Sequence, residues 1–297
     1  MNALPTSESR NPLVTGVLGA GRLGSALAAA LTAAGIGRVE VGSRRPEQAR
    51  ALAAALGIEA TSPAAMVERC DIIFLTVPDA AITQAARDLP WRAGQAVVHC
   101  SGALGLDALG AAAARSAVTG CLHPLQTFPA GGSPAQAPAL FRGIVCGIES
   151  NDTSLGARLE AITAGLGARP IRLEGVDRAL YHAAAVLVSN DVVALAAAAT
   201  RTWTQAGLPA SAAREALAPL LLAAAGNVGR LPLVEALTGP VARGDVATVE
   251  RHLRALEVAP ELREIYRRLA LELLRLDLDQ PPAVTAELRR VLGETGH

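Results

Sequence analysis

The chain contains no lysine; all 27 of its basic residues are arginine. That absence follows from genome composition as readily as from function, but its chemical consequence holds either way. No lysine acid, Schiff base or phosphate-binding ammonium is available, and any fixed positive charge comes from guanidinium. Aromatic residues make up only 2% of the sequence, so a core must be built from Ala, Leu and Val, which favours closely packed helices. Net charge is zero, which argues against a nucleic-acid or anionic-membrane surface. Four cysteines, Cys70, Cys100, Cys121 and Cys146, form no C-x-x-C pair and lie on or beside predicted strands, the pattern of buried, reduced thiols in a cytoplasmic protein. The five histidines are scattered without metal-ligand spacing, so no metal site is expected.

What is present starts at the N-terminus. Met1 to Pro12 is polar, lacks the apolar core of a signal peptide, and reads as a disordered lead-in. An apolar strand then runs into Gly19-Ala20-Gly21-Arg22-Leu23-Gly24, followed at once by an alanine-rich helix to about Ala34. Gly-x-Gly-x-x-Gly in that context is a dinucleotide-binding fingerprint. Gly19 allows the tight turn, Gly21 lets the backbone approach a pyrophosphate, and Gly24 lets the helix pack on the strand. The unpaired N–H groups of the helix start supply the anion site.

A second strand spans Arg38–Gly42. An NAD site would place a carboxylate just beyond it, for the ribose 2′-hydroxyl. Here the chain reads Gly42-Ser43-Arg44-Arg45, one hydroxyl and two guanidinium groups. That chemistry suits a 2′-phosphate and predicts NADP. Glu40 comes too early, within the strand.

Strands are next expected near Ile58–Ala60, over Asp71–Val77, over Gln95–Cys100 and over Val118–Cys121, with helices between them. The second ends in Val77-Pro78-Asp79, where Asp79 can cap a helix. Alternation of strand and helix predicts a doubly wound, mostly parallel sheet, with ligands outside the carboxyl ends of its strands. Val77, Pro78, Ser101 and His123 would then share an edge with the glycine loop. A Pro- and Gly-rich loop covers Pro129 to Pro138. Strands at Gly143–Ile148 and Arg169–Leu173, flanking a helix over Ser154–Leu166, extend the sheet. After Gly175 the pattern is helical throughout. Two domains follow, a nucleotide-binding domain over 13–174 and a helical substrate and dimerisation domain over 175–297. The helical domain opens with one long helix over Val176–Ala206. Its apolar run from Ala183 to Thr200 is interrupted by Ser189, Asn190 and Asp191, which suits burial, within the chain or in a homodimer, better than a membrane span.

Several strings carry a resemblance: the glycine fingerprint, Gly42-Ser43-Arg44-Arg45-Pro46, Val77-Pro78-Asp79, His99-Cys100-Ser101-Gly102-Ala103, His123-Pro124-Leu125-Gln126-Thr127-Phe128, Tyr181-His182-Ala183, and Thr238-Gly239-Pro240 with Arg243-Gly244-Asp245. The chain resembles bacterial proteins that join a Rossmann-like domain to a helical domain of unknown function, the type numbered 2520. More distantly it is similar to β-hydroxyacid dehydrogenases, ketopantoate reductase and pyrroline-5-carboxylate reductase. The resemblance implies a Rossmann domain followed by an all-α domain like that of 6-phosphogluconate dehydrogenase. It also implies dimerisation through the helices and hydride transfer between NADPH and a small substrate, without naming that substrate. Ser101 falls where β-hydroxyacid dehydrogenases place a substrate-binding serine. Aligning Asn190 with an asparagine of ketopantoate reductase puts His182 in the place of that family's catalytic lysine and Val186 in place of its other asparagine, two departures from the pattern.

The candidate chemistry is reduction of a carbonyl or imine. His182 is the candidate proton donor and Tyr181 its competitor, with Asn190 two helical turns on and Ser101 and His123 lining the cleft. The alternative is a non-catalytic NADP-binding protein, a redox sensor or partner-binding module, motivated by the missing lysine.

Overall fold

A computed structural model describes residues 13–129 and 131–294; the predicted lead-in, 1–12, lies outside them. The described chain forms two compact units, divided between Ser189 and Asn190. The division falls one helix later than the change of sequence pattern at Gly175, because the helix after Gly175 is tied by side chains to the sheet of the first unit.

The first unit is built on one sheet of eight strands. Its first half comprises β1 (Val14–Leu18), β2 (Arg38–Gly42), β3 (Glu59–Thr61) and β4 (Ile72–Leu75). Its second half comprises β5 (Ala96–His99), β6 (Val118–Pro124), β7 (Val145–Ser150) and β8 (Arg169–Arg172). The spatial order is β3-β2-β1-β4-β5-β6-β7-β8. Every neighbouring pair is parallel except β6 with β7. Chain order reverses between β1 and β4, and that switch point opens a crevice at the carboxyl edge.

The alternation of strand side chains explains the two layers. In β4, Ile72 and Phe74 join one cluster while Ile73 and Leu75 join the other, and all four are fully buried. The first cluster packs α1 (Arg22–Ala33), α2 (Pro46–Leu56) and α6 (Thr153–Gly165) on one face. The second packs α3 (Pro63–Arg69), α4 (Asp79–Asp88) and α5 (Gly110–Ala113) on the other. Each fully buried Ile, Leu or Phe contributes about 1.5–3 kcal/mol, so these clusters, rather than the surface ion pairs at about 0–1 kcal/mol each, hold the sheet together. Helix starts follow local chemistry: Pro46 and Pro63 open α2 and α3, the Ser62 hydroxyl accepts from the Ala65 N–H at 3.2 Å, and Asp152 accepts from the Leu155 N–H at 2.8 Å. The four cysteines are buried free thiols, as expected.

The expected single long helix is two. The first unit ends in α7 (Arg178–Leu187), and α8 (Asn190–Gln205) starts after a turn at Val188–Ser189. At this turn the Ser189 hydroxyl donates back to the Ala185 carbonyl at 2.6 Å. Nor is this apolar stretch buried in the chain. Leu187 and Val193 are 64% and 70% exposed, and by length and composition alone the run Arg178–Gln205 could cross a membrane.

The second unit is helical among the described residues. α8 packs on α9 (Ala210–Val228), followed by the short α10 (Leu233–Ala236). α11 (Val246–Ala255), α12 (Pro260–Leu273) and α13 (Pro282–Val291) share a core of Val249, Leu253, Ala270, Leu274, Leu288 and Leu292. Asp245 caps α11 by accepting from the Thr248 N–H at 3.0 Å, so its carboxylate has a structural task.

Candidate functional site

The turn from β1 to α1 is held from two neighbouring strand ends. The Gly19 N–H donates to the Gly42 carbonyl at 2.8 Å, and the Thr76 hydroxyl donates to the Gly19 carbonyl at 2.9 Å. Gly19 has φ +126°, and a Cβ on it would come within 2.6 Å of the Thr76 carbonyl. A Cβ on Gly24 would lie 1.8 Å from the Gly19 carbonyl oxygen. Both glycines are therefore demanded by the fold. Gly21 is different. Its backbone is extended, and a Cβ there would meet no protein atom within 4 Å. The fold itself therefore leaves open space at Gly21, room for a pyrophosphate to approach the backbone. Gly21 caps α1 without a side-chain bond, and no acidic residue occupies the first turn, so the helix start keeps its unpaired donors and positive end. These features fit a dinucleotide.

A groove of about 720 Å³ runs from this turn along the carboxyl edge, lined by Gly19, Ala20, Gly21, Ser43, Arg44, Arg45, Val77 and Pro78 among others. Ala20, Gly21 and Arg22 also line an adjoining recess of about 370 Å³ with Phe128, Pro129 and Gly131. Leu23 points elsewhere and packs against the core. Ser43 orders the β2–α2 turn, its hydroxyl accepting from the Arg45 N–H at 3.1 Å. Arg44 and Arg45 are exposed, and neither guanidinium is ion-paired among the described residues. Glu40, by contrast, is fully buried in β2 and bonded to Arg38 and Arg69 at 2.9 Å each, so it is closed to a ribose. The ribose end of the groove thus offers cations and a hydroxyl.

Further along the same edge, beyond β4, β5 and β6, lies a polar cluster that belongs entirely to the first unit. Ser101 is 5% exposed and its hydroxyl donates to Asp79 Oδ2 at 2.7 Å while accepting from the N–H groups of Ala103 and Leu104 at 3.2 and 3.1 Å. Asp79 does not cap α4; its carboxylate turns to the neighbouring strand end instead. His123 Nδ1 and the Tyr181 hydroxyl are 2.9 Å apart, and the His123 and His182 rings meet edge to face with centroids 6.0 Å apart. Both histidines close on Gly102, where a Cβ would lie 2.7 Å from His123 Nε2 and from His182 Nδ1. His182 Nδ1 is buried and without a hydrogen-bond partner.

Arg178, at the start of α7, fastens this cluster. It donates to the Ser101 and Gly102 carbonyls at 2.9 and 3.2 Å, to Cys121 Sγ at 3.0 Å, and to Glu149 at 3.4 Å. Asp177 aids it by capping α7 through the N–H groups of Ala179 and Leu180. Burial, with His182 and Arg178 nearby, lowers His123 to about 4. Burial and then Arg178 lower His99 to about 4. Burial raises the Tyr181 phenol to about 12 despite Arg178. Burial also raises Glu149, opposed by Arg178. At neutral pH His99 and His123 are therefore uncharged and Tyr181 keeps its proton.

Of the sequence candidates, Ser101, His123 and His182 come together, and Tyr181 joins them. Asn190 is exposed and begins α8 in the second unit; the turn at Val188–Ser189 removes the single-helix argument that paired it with His182. Sequence reasoning missed Arg178, Glu149 and the Asp79–Ser101 bond. The only signal for the last is that Val77-Pro78-Asp79 and His99-Cys100-Ser101 end adjacent parallel strands.

Two family models match this chain. One, described as NADP oxidoreductase, coenzyme F420-dependent, matches residues 14–102. The other, described as a domain of unknown function (DUF2520), matches residues 144–273. They bear out the resemblance carried by the motifs. The chain is similar to a Bacteroides fragilis protein described as a "putative NADP oxidoreductase", at 27% identity over 88% of this chain and 98% of that one, with TM-score 0.70. It is similar to protein TM1727 from Thermotoga maritima, at 27% identity over 93% and 100% of the two chains, TM-score 0.67. A reductive aminase from Aspergillus terreus, solved with NADPH and ethyl-5-oxohexanoate, shares the fold at 17% identity over 95% and 99%, TM-score 0.65. A comparison with curated proteins found no match. These likenesses agree with the motifs: the chain is similar to an NADP oxidoreductase family over residues 14–102 and to a family of unknown function over residues 144–273.

Proposed function

We propose that this protein is an NADPH-dependent reductase of a small carbonyl or imine compound, working as a cytoplasmic homodimer. One observation carries the cofactor half: Ser43, Arg44 and Arg45 line the groove with neither guanidinium ion-paired among the described residues, and Glu40 in the strand before them is buried and paired. Guanidinium pairs well with a 2′-phosphate, which a carboxylate would repel. The α1 start would hold the pyrophosphate, with Val77 and Pro78 beneath the cofactor. Bound there, the cofactor supplies a hydride.

The reductase half rests on the polar cluster placed further along the same edge. His182 is the proposed proton donor to a reduced carbonyl, since its buried Nδ1 lacks a hydrogen-bond partner and an imidazole can carry a proton to a developing alkoxide. Tyr181, bonded to His123, is the competing donor. Ser101 orients Asp79 rather than touching substrate freely, because its hydroxyl is fully engaged. Asn190 is proposed as a substrate or cofactor contact on sequence grounds alone. Exposed apolar side chains on α7, α8 and α9 support dimerisation through helices.

The test is NADPH oxidation with a panel of oxo acids, ketones and cyclic imines. Turnover with at least one class, reduced about 100-fold or more by His182→Ala, supports this reading. Tight NADPH binding without turnover on any class supports the non-catalytic alternative, and His182→Ala without effect transfers the proton role to Tyr181.

A further inference from the structure

Two imidazole nitrogens meet over Gly102. The point where a Cβ of that residue would stand is 2.7 Å from His123 Nε2 and 2.7 Å from His182 Nδ1. His182 Nδ1 is buried and unpartnered, and His123 Nε2 makes no hydrogen bond to another described residue. A buried polar atom left without a partner is costly, and this one is aimed at the same place as a second free nitrogen. The other side of His123 fixes what its Nε2 can do. Its Nδ1 lies 2.9 Å from the Tyr181 hydroxyl. Burial holds the Tyr181 phenol at about 12 despite Arg178. Burial, with His182 and Arg178 nearby, brings His123 to about 4. At neutral pH the phenol therefore keeps its proton and the His123 ring is uncharged. The hydroxyl has no other partner among the described residues, so it donates to Nδ1. A neutral imidazole carries one ring proton. With Nδ1 accepting, that proton sits on Nε2 and faces the space over Gly102.

From this geometry we infer that His123 is an electrophilic catalytic residue: its Nε2–H, aimed by Tyr181, and His182 together hold the oxygen of a carbonyl acceptor over Gly102. The inference rests on the reductase reading above and divides the labour within it. The acceptor carbon takes the hydride that NADPH supplies, and the C=O π pair moves onto oxygen. His182, as an imidazolium, gives its Nδ1 proton to that oxygen. An O–H bond forms, and His182, left neutral, takes a proton back from water. His123 keeps its own proton throughout. Its Nε2–H is a fixed donor directed at the oxygen as charge develops there, which stabilises the transition state more than the ground state. Tyr181 stays bonded to Nδ1 and is a positioning residue rather than a second proton donor. Arg178 holds the Gly102 carbonyl at 3.2 Å, so the backbone beside the oxygen is fixed as well.

The experiment begins with nitrogen NMR of the histidine rings in the full chain at neutral pH, using His123→Gln to assign the signal. His123 should be the Nε2–H tautomer, and Tyr181→Phe should leave it a mixture of both tautomers. Kinetics follow with a ketone or aldehyde that the wild type reduces. His123→Phe should lower kcat about 100-fold, the worth of one donor at a developing oxyanion, while NADPH affinity stays as in the wild type. His123→Gln, whose amide can place an N–H near the Nε2 position, should recover part of that loss. Tyr181→Phe should lower kcat by less than His123→Phe does. An Nδ1–H tautomer in the wild type overturns the inference. So does His123→Phe with kcat intact, which would leave a water bridging the two rings as the use of that space. A His123→Gln protein as slow as His123→Phe overturns it too. In each of these cases a wild type that binds NADPH and reduces a carbonyl leaves the reductase reading standing. A wild type that reduces no carbonyl removes the carbonyl half of that reading and this inference together.

Discussion

At the scale of single residues, Glu40 and Arg44 show how sequence distance and access decide a role. Glu40 lies two residues before the strand end of β2, but it is sealed between Arg38 and Arg69. Arg44 is open to the groove. The turn at Gly19–Gly24 and the position of Ser43–Arg45 just past a strand were legible because both are local features of the chain. Arg178 was not, because its partners Ser101, Gly102, Cys121 and Glu149 come from strands distant in sequence and two of them are backbone carbonyls. The His123–Tyr181 bond, spanning 58 positions, is equally hidden. The histidines give a pH prediction. His99 and His123 have folded values near 4, below their ordinary 6.5. Between those values the unfolded chain binds more protons than the folded one, so stability from these groups is full above pH 6.5 and is lost as pH falls towards 4. The urea midpoint should drop over that window, and His99→Asn should flatten the drop. A midpoint unchanged between pH 7 and pH 4.5 would contradict it. His182→Ala should depress ketone reduction more than reduction of protonated 1-pyrroline, since only the ketone needs a proton; equal losses on both would contradict the separate proton role.

At the scale of elements, the glycine turn and α1 form one device, with the carbonyl of Gly19 seated where a Gly24 side chain would be. Gly24→Ala should therefore force the turn apart, lowering stability by about 1–3 kcal/mol and NADPH affinity with it, as read by urea titration and calorimetry. A Gly24→Ala protein with unchanged affinity would show that the turn has room that the structure denies. The strands were readable from continuous apolar runs and their polar bounds, and the alternation within β4 accounts for the two faces. The helix after Gly175 was misread. Its apolar residues continue through Val188 without a glycine or proline, so nothing in the composition marks the turn at Val188–Ser189. That break also moves Asn190 out of the element that carries Tyr181 and His182.

At the scale of the whole molecule, the exposed apolar side chains argue for assembly. Leu187, Val193, Leu220 and Leu222 are all more than half exposed, an arrangement that monomers in water rarely keep. Light scattering at micromolar concentration should give twice the 30.3 kDa chain mass, and Leu220→Asp should shift the protein towards the monomer. A wild-type monomer would contradict the dimer. The central claim, that the carboxyl edge of this sheet is built for NADPH, is tested most directly by titrating the protein with NADPH and NADH, then repeating both with Arg44→Ala. The account predicts NADPH binding about tenfold or more tighter than NADH, a difference that Arg44→Ala largely erases by weakening NADPH alone. Equal affinity for the two cofactors, or an Arg44→Ala protein that still prefers NADPH, would contradict it.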